Sequence, residues 1–149
     1  MGFIMKSQKM SFWDYFEAEC NRLGLTKKER ISIENEACSP SQRNKIKKAC
    51  EKDSSYVVSR NIVLALGFGL LLTDQLRLKL LAEKGKYLSD FLKNAGYAFS
   101  PYSGRDDFLK ELIKERIGVQ RINVELQENS YELIGAHQWQ KSESKKDSK

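Results

Sequence analysis

Apolar residues recur along this chain at helical spacing, and runs that alternate apolar and polar residues, as a strand would, are nearly absent. A second pattern repeats with them, in which a small polar residue stands three positions before an acid or an amide. The first side chain of such a pair can accept a hydrogen bond from a free N–H of an opening helical turn. The second side chain can accept one from the backbone N–H of the first residue. Four such pairs occur, Ser11 and Asp14, Thr26 and Glu29, Ser39 and Gln42, and Ser103 and Asp106. Together the two patterns predict an all-α fold.

The apolar spacing predicts helices over residues 11–23, 26–37, 41–50, 59–71, 73–94, 105–117 and 119–126. Gly24 and Gly96 are expected to end the first and the fifth, because glycine adopts a left-handed backbone at a helix C-terminus without steric cost. Gly67 and Gly69 are expected to weaken the last turn of the fourth, and a further glycine is expected to split the fifth. The most apolar run covers the eleven residues 62–72, which are too few to span a bilayer and predict a buried core helix.

The order of the first four helices indicates a domain type. Two short helices are joined by a tight turn at residues 38–40, with one helix before them and an apolar helix after them. This is the layout of a helix-turn-helix domain. We therefore predict a helix-turn-helix domain of four to five helices over residues 11–72 and a small helical extension over residues 73–135. The stretch QKSESKKDSK lacks apolar residues, so residues 136–149 are expected to be a disordered polar tail.

Positive charge is concentrated next to that turn. The chain has 26 Lys and Arg against 20 Asp and Glu, a net charge of +6. Residues 41–60 contain six basic residues against two acids, a net +4, so they hold most of the excess. An excess of this size permits an anionic partner such as double-stranded DNA without requiring one.

The third helix has the side chains that a DNA-reading helix needs. Ile46, Ala49 and Cys50 fall on one face, where they can pack against neighbouring helices. Asn, Gln and Arg side chains can contact base edges in pairs of hydrogen bonds, and Lys suits phosphates. Free backbone amides at the start of the helix are expected to add a phosphate site. The predicted DNA-binding residues of this helix are Ser39, Ser41, Gln42, Arg43, Asn44, Lys45, Lys47 and Lys48. The alternative interpretation is a solvated, charged surface helix without a partner.

Catalytic and metal chemistry have little support in the sequence. The three cysteines are odd in number, widely spaced and without a CxxC motif, which indicates buried side chains in a reducing, cytoplasmic setting. With His137 as the one histidine, neither a zinc site nor a Ser-His-Asp arrangement is expected. Asp106, Asp107 and Glu111 lie on a helix whose outward face is simply charged. We therefore expect that the protein is not an enzyme and that it binds no cofactor, no metal and no membrane.

Two stretches carry a resemblance to known proteins. "LGLTKKE" and "SRNIVLALGFGL" lie within residues 12–72, which resemble the phage-repressor (Cro-like) helix-turn-helix family. The resemblance implies that Lys27 and Lys28 touch the DNA backbone, and that the bases are approached most closely by Ser41, Gln42, Asn44 and Lys45. "LKNAGYAFSPYSGRDDFLKELIKE" and "INVELQENSYELIG" are similar to a helical extension that follows such domains in bacterial regulators, including ones from mobile elements.

The resemblance has departures that keep two functions open. Gln42 stands where an apolar residue is usual, and residues 73–96 are longer than expected by about three helical turns, roughly ten residues. The first hypothesis is a sequence-specific DNA-binding transcriptional regulator, with the C-terminal helices serving a homodimer or a protein partner. The alternative is a helical protein–protein interaction module, or a mobile-element (anti-defence) adaptor, that has lost DNA binding. The aromatic "GYAFSPY" turn is expected to pack the two halves together, or else to face a partner.

Overall fold

The computed structural model describes residues 10–136, and this part of the chain is helical without any strand. The expectation of an all-α fold is therefore confirmed. Seven α-helices follow one another within residues 10–136, which we label α1 Phe12–Arg22, α2 Lys27–Ala37, α3 Pro40–Lys52, α4 Arg60–Thr73, α5 Lys84–Asn94, α6 Gly104–Leu112 and α7 Val119–Glu128.

All four helix starts predicted from paired polar residues are confirmed. The hydroxyl groups of Ser11, Thr26, Ser39 and Ser103 each accept a hydrogen bond from the backbone N–H three residues later, at 3.1 Å. In α2 and α3 the later side chain also accepts from the cap's own N–H, which closes a capping box. The predicted stops hold as well, because Gly24 and Gly96 have φ angles of 71° and 89°. The fourth helix, predicted from residue 59, begins at Arg60, and the Ser59 side chain before it makes no capping hydrogen bond, so a cap at Ser59 would be a wrong prediction.

Helix α4 is the centre of the core, with ten consecutive buried residues from 62 to 71. Helices α2 and α5 are its main neighbours. The two glycines of α4 lie at contacts with other helices, and the helix continues past them to Thr73, two residues beyond the predicted end. A Cβ at Gly67 would meet the side chains of Leu88 and Phe91, and one at Gly69 would lie 2.8 Å from Ile33 Cγ2. The atoms met are side-chain atoms of neighbouring helices, so a methyl group at either position would have to displace a buried side chain.

The chain after α4 differs most from the sequence expectation. No new helix begins at Thr73, because α4 runs on into a π-helical turn, Asp74–Leu78. The helical path breaks at Lys79, whose φ is 56°, and α5 begins only at Lys84, with Gly85 inside its first turn. The glycine therefore does not split a long helix. The break lies several residues earlier, where the Asp74 side chain binds the turn.

Two smaller corrections concern the last helices. The predicted helix over residues 105–117 ends as α6 at Leu112. In α7 the apolar residue Val124 is 45% exposed, whereas the neighbouring polar residue Asn123 is buried. The Asn123 side chain donates to Ile134 O at 3.0 Å and accepts from Ile134 N at 2.8 Å. A polar residue is stable there because both of its amide groups are satisfied.

The last described residues return to the first half of the molecule. Gly135 N donates to Asn61 O at 2.8 Å, and Ala136 N donates to Ala37 O at 2.9 Å. Buried apolar residues from α1 through Ala136 form one cluster. The proposed domain division near Leu72 stays a prediction. Ala136, the first residue of the predicted tail, is buried, and the remainder of that tail, with His137, lies outside the described residues.

One segment has the length and apolar composition of a membrane span. Within residues 10–136 it covers the 19 residues Arg60–Leu78, which are α4 and the π-helical turn together, and 67% of its apolar 18-residue window is buried inside the fold. This continuous segment is longer than the eleven-residue run picked out by composition. Its burial against α2 and α5 agrees with the predicted role as a core helix.

Candidate nucleic-acid interface

Helix α3 is held by its first turn and by its apolar face. Pro40 occupies the first helical position, where its missing N–H costs nothing. Ile46 and Cys50 are buried, at 7% and 5% exposure, and α3 packs against α1 and α2. The predicted division of this helix into an inner apolar face and an outer polar face is present.

The outer face of α3 is a polar and basic stripe. Four of the predicted DNA-binding residues are exposed along it: Ser41, Asn44, Lys45 and Lys48. Their spacing of three and four residues places them on one side of a helix. Neither Lys45 nor Lys48 forms an ion pair with any residue in the described range 10–136. Both ammonium groups are therefore available to an outside anion.

Three further lysines were predicted to contact DNA. Lys27 and Lys28 are exposed at the start of α2. Lys47 is half-buried on α3, and its charge acts on the buried carboxylate of Glu34. Lys47 therefore lies toward the protein interior rather than on the outer stripe.

The first turn of α3 leaves little room for a phosphate. Ser39 N donates to Gln42 Oε1 at 3.0 Å, and Gln42 N donates to Ser39 Oγ at 3.1 Å. Pro40 has no N–H to offer. The expectation of a phosphate site on free backbone amides is therefore wrong at Ser39 and Gln42, because the capping box uses both of their N–H groups. Gln42 also has its amide oxygen engaged, although paired contacts with adenine need that oxygen together with the amide nitrogen.

Arg43 faces inward, toward a buried acid. Its Nη1 lies 3.5 Å from Oε1 of Glu34, whose side chain is 1% exposed. Arg30 Nε lies 3.4 Å from the other oxygen, Glu34 Oε2, and Arg30 Nη1 is 3.8 Å from Glu17 Oε2. This chain of ion pairs connects α1, α2 and α3. It places the charge of Arg43 against the α2–α3 contact.

The ion pairs of Glu34 are loose. Neither Glu34 Oε2 nor Arg30 Nε has a hydrogen-bond partner among the described residues, because their mutual geometry is not aligned. Burial raises the pKa of Glu34, and the charges of Arg30 and Arg43 oppose that rise. The cost of removing the carboxylate from water is therefore only partly offset.

Arg60 belongs to a different part of the molecule. Its Nη2 lies 2.8 Å from Asp106 Oδ2, and Asp106 is 2% exposed. The same carboxylate oxygen accepts from Ser100 N at 2.7 Å. The net +4 counted over residues 41–60 therefore includes two arginines that are paired with buried acids. Free positive charge near the stripe comes from lysines.

The cysteines have no reactive surroundings. All three are buried thiols without a disulfide, as predicted. Burial raises the pKa of Cys20 to about 12 and that of Cys38 to about 11, so both remain protonated at neutral pH. Within residues 10–136 no group of three or more His, Cys, Asp or Glu side chains is arranged to hold a metal ion.

Comparisons with models of known protein families, with curated proteins and with solved structures give no match. The family resemblance stays a prediction, and function is argued from the geometry of α3.

Sequence reasoning missed the buried acids. Glu34 and Asp106 each bind an arginine that had been counted toward DNA binding or its charge. The partners of Asp106 are far away in the sequence, so no local pattern shows them. Glu34 had one local signal, because Arg30 precedes it by one helical turn.

Proposed function

We propose that this protein is a sequence-specific DNA-binding regulator that reads the major groove with helix α3. The observation that carries the proposal is the outer stripe of α3, where Ser41 and Asn44 stand beside the unpaired Lys45 and Lys48. Amide and hydroxyl groups can read base edges, and lysines bind phosphates. Lys27 and Lys28 add a backbone contact from α2.

The division of roles within α3 follows from its hydrogen bonds. Asn44 is the main candidate for base reading, because it is exposed and its side chain has no hydrogen bond to other described residues. The Gln42 side chain caps the first turn of α3, and Arg43 pairs with the buried carboxylate of Glu34. Discrimination at the base that Asn44 contacts is expected to be about 1–3 kcal/mol.

The experiment is a selection of bound duplexes from a random pool, carried out with the full chain, Asn44→Ala and Asn35→Ala. Asn35 is an exposed asparagine on α2 and serves as the matched control. The proposal expects the same preferred sequence for the wild type and Asn35→Ala, and a loss of preference at one position for Asn44→Ala. A wild-type protein that selects no sequence contradicts it.

A second candidate has one observation in its favour. Gln42 and Arg43 are engaged within the protein, which leaves fewer reading groups than the sequence indicated. The alternative is a protein-interaction module that keeps the fold without DNA binding. Capture of a protein partner that survives nuclease treatment, together with no binding to any duplex at about 50 mM salt, supports this alternative.

A further inference from the structure

A buried acid lies beneath α3 with poorly formed ion pairs. The Glu34 side chain is 1% exposed, and Arg43 Nη1 lies 3.5 Å from its Oε1. Its other oxygen, Oε2, has no hydrogen-bond partner among the described residues, and neither has the buried Nε of Arg30. Buried polar groups are nearly always hydrogen-bonded, so this cluster needs an explanation.

The same chain forms a tighter pair with another buried acid. Arg60 Nη2 donates a hydrogen bond to Oδ2 of Asp106 at 2.8 Å, and the Asp106 side chain is 3% exposed. Hydrogen bonds between an arginine and a carboxylate are typically about 2.7–2.9 Å long. At 3.5 Å, Arg43 is held near Glu34 more loosely than a buried pair in this fold allows.

Arg43 begins beside the outer stripe of α3. Consecutive residues of an α-helix are about 100° apart, so Arg43 lies little more than a quarter of a turn from Asn44, at the edge of the stripe. Its side chain is 29% exposed, and an arginine carries its charge at the end of a long apolar stem. A change of rotamer can therefore take the guanidinium group from Glu34 to solvent beside the stripe.

Three helices place titratable groups around Glu34. The groups are Glu17 and the Cys20 thiol on α1, Arg30 on α2, the Cys38 thiol that follows it, and Arg43 and Lys47 on α3. Helices α4 and α7 also pack on α2, but Arg60 of α4 is paired with Asp106, and Arg121 of α7 is paired with Glu125. Glu128 is exposed at the end of α7. Glu34 would thus keep Arg30 at 3.4 Å if Arg43 left it.

We propose that Arg43 exchanges partners when DNA binds, leaving Glu34 for a phosphate of the duplex, and that Glu34 is the positioning residue that holds Arg43 in the free protein. The inference rests on the proposed function and adds to it a contact that the free protein conceals. A phosphate suits this side chain because its oxygens can accept two parallel hydrogen bonds from a guanidinium group.

The exchange makes DNA affinity depend on pH. Departure of Arg43 removes a positive charge from beside Glu34, which raises the pKa of Glu34 in the complex above its pKa in the free protein. Binding then takes up a proton, so affinity rises as pH falls through the pKa of the complex.

Affinity of the full chain for one duplex, measured from about pH 8 to about pH 5, tests the exchange. The wild type should bind more tightly as pH falls. Glu34→Gln should bind about two- to fivefold more tightly than the wild type at the upper end of this range and lack most of the pH dependence.

The matched control for Glu34→Gln is Glu36→Gln. Glu36 is a half-buried acid on the same helix, and burial raises its pKa as well, but it forms no ion pair within residues 10–136. Glu36→Gln should follow the wild type in affinity and in pH dependence. Equal affinities and equal pH profiles for the wild type and Glu34→Gln overturn the proposal.

Variants of Arg43 keep the test independent of the stability of Glu34→Gln. Arg43→Ala should reduce the magnitude of the slope of log K against log salt concentration by about 0.9, and Arg43→Lys should retain the slope, because lysine also binds a phosphate. Adding Glu34→Gln to Arg43→Ala should bring no tightening. An unchanged slope in Arg43→Ala overturns the exchange and leaves the proposed function standing. A wild type that binds no duplex at about 50 mM salt removes both.

Discussion

Glu34 is the residue whose environment departs furthest from its place in the sequence. A glutamate in the middle of a polar helix is expected to face water, yet its side chain is 1% exposed between Arg30 and Arg43. Its two ion pairs are longer than well-formed ones, and burial raises its pKa. Removing one partner of a buried ion pair leaves the opposite charges uncompensated, here those of Arg30 and Arg43.

The raised pKa gives a pH-dependent effect on stability. Because the folded-state pKa lies above the unfolded value of about 4.3, the stabilising contribution of protonated Glu34 is fully present below that value and is lost as pH rises through the folded-state pKa. We expect the free energy of unfolding of the wild type to fall, relative to Glu34→Gln, as pH rises from about 4 through the folded-state pKa. Urea unfolding of both proteins over this range measures it. A difference that is constant, or that grows in favour of the wild type as pH rises, contradicts the account.

Gln42 and Asn44 have different structural roles, although both are amide side chains on α3. The Gln42 side chain closes the capping box of α3, so Gln42→Ala should lower the free energy of unfolding by about 0.5–1 kcal/mol. Asn44→Ala should change it by less than about 0.5 kcal/mol, because this exposed side chain has no partner among the described residues. Urea unfolding at one pH separates the two. Equal losses of stability are the contrary result.

At the level of elements, local patterns predict helix starts well and the connection after α4 poorly. The four caps depend on residues three positions apart, which a sequence displays directly. The break at Lys79 depends on Asp74, whose carboxylate binds backbone groups six and seven residues later. Nothing in the spacing of apolar residues shows that interaction. The glycines of α4 mislead for a similar reason, because their neighbours come from other helices.

Those glycines give a paired prediction. Gly67→Ala should lower the free energy of unfolding by about 1–3 kcal/mol, because its methyl group would meet the buried Leu88 and Phe91. Gly85→Ala in α5 has no atom within 4 Å of its added methyl group, so it should raise stability by about 0.5 kcal/mol. Thermal unfolding of the two variants checks the opposite signs. A harmless Gly67→Ala would contradict the close packing of α4 on α5.

At the level of the whole molecule, the sequence located the candidate interface better than it assigned the residues within it. The outer stripe of α3 follows from helical spacing and the inner position of Ile46, both of which are local. The inward turn of Arg43 and the pairing of Arg60 with Asp106 depend on contacts between helices. For that reason the count of positive charge along the chain overestimates the charge that faces outward.

The central claim is that α3 binds DNA, and its most direct measurement is the salt dependence of affinity for duplex DNA. The full chain is compared with Lys45→Ala/Lys48→Ala and with a control of equal charge change, Lys86→Ala/Lys93→Ala, whose lysines are exposed on α5. Each phosphate contact contributes about 0.9 to the slope of log K against log salt concentration. The account predicts that the magnitude of this slope decreases by about 1.8 for the α3 variant and is unchanged for the control. Equal slopes for all three proteins, or no binding of the wild type at about 50 mM salt, would contradict it.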